Sequence, residues 1–155
     1  MDTTTPSART PQTLRASWEQ LVDPPAPGAR SLWIAVVDGD TRRLSSLVQE
    51  VAHLPAEPTP GDAAQLERFL DQLAGSVLRG RHGVAVAVSR PGGPRPDRDD
   101  IAWVEAVYEA CAAVEVRTET VHLVADAGAF PVSRADVRAA RAAQRPRRSR
   151  STMAS

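Results

Sequence analysis

Two spacings of apolar residues take turns along this chain. Leu14, Trp18, Leu21 and Val22 fall at i, i+4, i+7 and i+8, the stripe of a short amphipathic helix near residues 13–22. "DPPAPG" ends it, because proline lacks a backbone N–H and holds the residue before it extended. "SLWIAVVD" is a compact apolar run of strand length, the turn "GDTRR" follows, and "LSSLVQEV" reads as a second, weaker strand. The helical period returns in "TPGDAAQLERFLDQLAGSVLRG". There Leu66, Phe69, Leu70, Leu73, Val77 and Leu78 form one stripe, Thr59 is the cap, and Pro60 suits the first helical position. Asp62 completes that cap, and Gly80 is the expected stop.

"HGVAVAVS" alternates Val and Ala with no polar position, which predicts a strand buried on both faces. Asp97, with Asp100 three residues on, predicts the start of another helix. Its buried stripe is Ile101, Val104, Tyr108 and Cys111, while Ala102, Ala106 and Ala112 allow close approach. "VEVRTETVHLVA" is a β-rich run and "GAFPV" a short final strand. Ser133 and Asp136 form a cap and its partner for "RADVRAARAAQ". Strands alternating with helices predict the α/β class: a single domain with a mixed β-sheet flanked by helices. The expected division is a disordered segment over residues 1–29 carrying the short helix, an α/β domain over 30–144, and a disordered basic tail over 145–155.

Composition narrows the chemistry. At 42 % hydrophobic but only 4 % aromatic, the core must be built mostly from Val, Leu, Ala and Ile. Every one of the 19 basic residues is arginine, so no lysine is present to cradle a nucleotide or form a Schiff base. The lone Cys111 excludes an internal disulfide and falls on the apolar face of its helix, as a small core residue would. No signal peptide and no apolar run of membrane length is visible, so the expectation is a cytoplasmic protein without membrane contact.

The zero net charge hides an asymmetry. Residues 97–119 hold seven carboxylates against Arg98 and Arg117, whereas residues 134–155 hold seven arginines against Asp136. Those seven are Arg134, Arg138, Arg141, Arg145, Arg147, Arg148 and Arg150; the first four share one face of the last helix. They are candidates for electrostatic docking to nucleic acid or to an acidic surface, including the 97–119 helix of a second copy. The tail carries no aromatic residue, which argues against base stacking.

Other site types find little support. "SRPGGPRPDRDD" sits between a strand and a helix but lacks the glycine spacing of a dinucleotide loop, and its aspartates would repel a phosphate. His53, His82 and His122 form no metal-binding pair. Asp97, Asp99 and Asp100, with His122, are the residues an atypical metal-dependent hydrolase would use, although capping explains the aspartates without a metal.

Taken in order, residues 31–133 resemble the RadC-like branch of the JAMM/MPN metalloprotease superfamily. "SLWIAVVDGDTRRL" looks like that family's first strand and acidic turn. "VSRPGG" lies where its His-Asn-His-Pro-Ser-Gly motif would be. "RPDRDDIAWVEAVYEACAAVEV" is similar to its Pro-Ser-x-x-Asp helix, and "TVHLVADAGAFPVS" to its closing strand and hairpin, with one residue fewer between Gly93 and Asp97. The resemblance implies a zinc held by two histidines and an aspartate, a glutamate base and an oxyanion-stabilising serine.

The first histidine falls on Val88, the second on Arg90, the third ligand on Asp100, the base on Ser31 and the serine on Asp97. Only Asp100 keeps its chemical type. The expectation is therefore a non-catalytic domain of this family, without cofactor or metal, that binds or scaffolds an unknown protein partner or a second copy. Arg90 is expected to pair with Asp97 and Asp100 and to organise the loop in the metal's place. If the family frame is kept, Ser31, Val88, Arg90 and Asp100 should gather around one small pocket.

Overall fold

A computed structural model describes residues 11–22, 30–38, 44–78 and 83–145. Among these residues five strands make one mixed sheet: β1 (Ser31–Val37), β2 (Leu44–Val51), β3 (Gly83–Ser89), β4 (Val121–Ala125) and β5 (Gly128–Val132), in spatial order β2-β1-β3-β4-β5. β1 runs antiparallel to both β2 and β3, β3 and β4 are parallel, and β4 and β5 form an antiparallel hairpin. Among the described residues four α-helices accompany them: α1 (Pro11–Leu21), α2 (Pro60–Leu73), α3 (Arg98–Ala113) and α4 (Arg134–Gln144). The chain thus has the expected α/β class. Among the described residues, no helix is long and apolar enough to cross a membrane.

The period-two pattern sorts the strands into two faces. Leu32, Ile34 and Val36 of β1, with Val84, Val86 and Val88 of β3, pack with α2 and α3. Ala35, Ala85, Ala87 and Ala129 look the other way, onto Leu14 and Trp18 of α1 and the Val22 that follows it. The small side chains on that second face make room for Trp18, which is fully buried. A buried tryptophan of this kind contributes about 3–5 kcal/mol. α1 therefore packs as a layer on this face of the sheet.

All three expected capping boxes form. Thr59 pairs with Asp62, Asp97 with Asp100, and Ser133 with Asp136, each by two reciprocal hydrogen bonds. The helix expected from Thr59 to Gly80 is shorter in its α form. After Leu73 the backbone widens into a π-turn over Ala74–Leu78, with the Ser76 hydroxyl donating to the Gln72 carbonyl. Gly80 lies outside the described residues. The β-rich run from Val114 yields a strand only from Val121, because Val114 caps α3 and Glu115 turns into the left-handed region at φ 57°.

Candidate functional site

The end of β3 carries the site. Arg90 continues the alternation of Val84, Val86 and Val88 and so points to the α3 side of the sheet. Its backbone N–H bonds the Val124 carbonyl at 3.1 Å, extending the parallel pairing by one step. Residues 91–96 then fold around its guanidinium. Nη1 donates to the carbonyls of Pro91 at 3.1 Å and Gly93 at 2.7 Å, and Nη2 to that of Arg95 at 3.0 Å. Nε lies 2.9 Å and Nη2 2.7 Å from Asp100 Oδ2.

Gly92 makes the wrap possible. Its φ of 110° suits glycine, and a Cβ there would stand 3.1 Å from Arg90 Nη1. Asp126, in the β4–β5 turn, holds the loop from outside. It accepts the Gly92 N–H at 2.9 Å and returns its own N–H to the Gly92 carbonyl at 3.2 Å.

Asp100 serves two structures at once. Within the cap of α3 it accepts the Asp97 N–H at 2.9 Å, while its own N–H donates to Asp97 Oδ1 at 2.7 Å. Its carboxylate also takes Arg30 Nη2 at 3.1 Å, and the same nitrogen lies 3.4 Å from Asp97 Oδ2. Two arginines and two aspartates therefore form a neutral cluster in which the Asp100 side chain is fully buried. Burial works against the Arg90 charge, but the hydrogen bonds and the charge of Asp100 outweigh it and raise its pKa. Burial would raise the Asp97 carboxyl, yet the Asp100 N–H and the cations of Arg30 and Arg90 hold it below the ordinary aspartate range.

Four donors converge on Asp100: Nε and Nη2 of Arg90, Nη2 of Arg30, and the Asp97 N–H. An ionised carboxylate offers about four lone-pair sites. A metal ion at this carboxylate would have to displace an arginine and sit beside the other cation. The residues present do not fit the zinc that the resemblance implies.

The remaining expected positions do not join the cluster. Val88 is fully buried among apolar side chains on the α3 side. Ser31 alternates onto the opposite face with Trp33 and Ala35, where its hydroxyl donates to Glu50 Oε1 at 3.0 Å. His122 shares that α1 side with Val124, is fully buried, and places Nδ1 3.0 Å from the Thr120 carbonyl. It is across the sheet from Asp100. His53 is exposed, and His82 lies outside the described residues. No group of three His, Cys, Asp or Glu side chains converges among the described residues. Cys111 is buried in the main core, and burial pushes its thiol up to about 11.

The arginine face of α4 divides. Arg134 lies over the Tyr108 ring, 4.7 Å from its centroid, and Arg141 grips Glu105 of α3 through two bonds of 3.0 and 3.1 Å. These two fasten the helix to the domain. Arg138 and Arg145 stay exposed and, with Arg98, line an open groove of about 700 Å³ between α3 and α4. Arg147, Arg148 and Arg150 lie outside the described residues. Compared with models of known protein families and with curated protein sequences, the chain matches none.

Arg30 and Asp126 are the members of the cluster that sequence reasoning misses. Nothing in the pattern separates Arg30 from the other arginines. Its place directly before β1, beside the register pair Ser31 and Ser89, is a signal only once strand pairing is known.

Proposed function

We propose that this chain is a non-catalytic α/β domain that works by binding or scaffolding a protein partner. The observation that carries the reading is the Arg90 guanidinium. It occupies the position of a metal ligand in the resemblance, and its charge is neutralised by Asp100, the one position whose chemical type is kept. A cation at that point opposes a second cation. Val88 cannot ligate a metal, and Ser31 cannot act as a base at neutral pH.

The same cluster suits a binding role. It locks the 90–97 loop from within while Gly93, Pro94 and Arg95 stay exposed. A surface loop held by a rigid scaffold is the usual arrangement for recognition. Metal analysis of the purified full chain tests the proposal. Zinc and manganese far below one ion per chain is the expected result; a stoichiometric ion of either kind overturns it.

A further inference from the structure

α4 presents arginines on a rigid element. Val137 packs into the main core, the Ser133–Asp136 box closes the first turn, and Arg134 and Arg141 bind Tyr108 and Glu105 of α3. The outward side is left to Arg138 and Arg145, which are exposed and meet no carboxylate among the described residues. With Arg98 at the start of α3 they line the groove of about 700 Å³ between the two helices. Arg98 leans toward Glu57 at 3.8 Å, a contact open to water and therefore weak. Among the described residues the one carboxylate in the lining is Glu105, and Arg141 already holds it. The groove thus sets four arginines against a single neutralised acid. After Asp136 the sequence has no further acid, and Arg147, Arg148 and Arg150 come soon after Arg145.

Charge selects a polyanion, and the lack of apolar surface selects its kind. Protein interfaces centre on aromatic or large aliphatic anchors. On the exposed face of α4 alanine is the only apolar residue type, and Ala142 is the only apolar residue in the groove lining. Interfaces with nucleic acid are instead polar and strongly basic, and most of their hydrogen bonds go to phosphate and sugar. Single strands are held by stacking bases on aromatic side chains, and the groove lining has none. A duplex needs no such platform. It carries about one negative charge per 1.7 Å of its axis. Arg134 to Arg145 span about 16 Å of helix, so each exposed arginine finds a phosphate.

We infer that the outer face of α4 and its groove bind the phosphate backbone of duplex DNA, without reading its sequence. Arg98, Arg138 and Arg145 supply the contacts of the folded domain. The arginines after Arg145 add to the same charge.

Fluorescence anisotropy of a short labelled DNA duplex, titrated with the full chain, tests the inference. Binding is expected to weaken about tenfold or more between about 50 and 200 mM salt, because each neutralised phosphate releases counterions. The double variant Arg138→Gln with Arg145→Gln replaces two exposed side chains and is expected to keep its circular dichroism spectrum. It should weaken binding about tenfold at low salt and lower the salt slope by about two. Arg117→Gln, exposed but outside the groove lining, should bind as the wild type does. A wild type that leaves the duplex free at low salt overturns the inference. So does a double variant that binds as the wild type, or an Arg117→Gln variant that loses as much. Displacement of the duplex by polyglutamate at equal charge overturns it too, since the face then suits an acidic protein. Tighter binding of either separated strand has the same consequence.

Discussion

Two of the arginine–carboxylate pairs that tie α3 to the rest of the molecule have nearly alike geometries. Arg90 meets Asp100 at 2.7 and 2.9 Å, and Arg141 meets Glu105 at 3.0 and 3.1 Å. Their surroundings differ. Asp100 is fully buried and the Arg90 side chain 11 % exposed, while Glu105 and Arg141 are each about one-third open to water. Arg90 also carries three backbone carbonyls of its loop, whereas Arg141, among the described residues, has only the Gln144 side chain besides Glu105. Similar distances therefore hold very different consequences. In a site closed to water, a group that loses its partner has no solvent to replace it.

The largest effect is expected from Asp100→Ala. It leaves Arg30 and Arg90 with the rim carboxylate of Asp97, at 3.4 and 3.9 Å, in place of the buried one and removes the acceptor of the Asp97 N–H. A loss of about 3–5 kcal/mol in urea unfolding at neutral pH is expected, the range for a buried pair broken from one side. Arg90→Ala should lower the melting temperature less, because Arg30 still meets Asp100. The joint replacement Arg90→Met with Asp100→Leu should be milder than Asp100→Ala, since it leaves one arginine, Arg30, without Asp100 instead of two, and Arg30 still has Asp97 at 3.4 Å. An Arg90→Ala variant that melts with the wild type would remove the loop-organising role of this arginine.

What the sequence made legible in this region was what is local or alternates. The Asp97–Asp100 box could be read because both halves lie within one turn, and its capping geometry forms at that spacing. The five buried positions 84–88 of β3 followed from the absence of any polar residue among them. The pairing of Arg90 with Asp100 was expected from the family resemblance, which implies that both stand at the metal's position, together with their opposite charge. Arg30 was not, because its partner is 70 residues away and its approach depends on the register between β1 and β3. The separation of Ser31 from Asp100 was hidden for a related reason. Order along the chain says which elements follow one another, but the face a strand residue takes depends on strand pairing. The α1 layer was legible as a helix and not as a cover. Only the assembled sheet reveals the small-residue face of Ala35, Ala85, Ala87 and Ala129 that Trp18 fills.

The exposed pair sharpens the comparison from the other side. Arg141→Ala is expected to cost about 0.2–1 kcal/mol, the range for ion pairs reached by water. That cost should shrink as salt is raised, because exposed charges are screened over about 10 Å at 0.1 M ionic strength. The penalty of Asp100→Ala should be nearly indifferent to the same salt. Urea midpoints of both variants at low and high sodium chloride measure the contrast. If Arg141→Ala proved as costly as Asp100→Ala, burial would not be what separates the two pairs.

The smallest effect expected concerns protons. Asp97 sits at the rim of the buried cluster with its side chain about half exposed. Burial opposes its charge, but the Asp100 N–H and the Arg30 and Arg90 cations prevail, so its pKa in the folded chain lies below the unfolded value of about 3.9. A carboxyl depressed on folding adds stability that is fully present above the unfolded pKa and is lost as pH falls through the folded one. The contribution is therefore constant near neutrality and disappears below about pH 4. Glu19 acts in the same direction, lowered by the Ala129 N–H and by Arg15, so part of any acid limb belongs to the far edge of the sheet. Asp97→Asn separates the two. Asparagine still caps the helix but cannot titrate, so the fall in melting temperature between about pH 6 and pH 3 should become shallower without vanishing. An acid limb as steep in Asp97→Asn as in the wild type would assign the proton sensitivity to groups outside the cluster. Arg90 and Arg30 would then hold their loop independently of the charge at its rim.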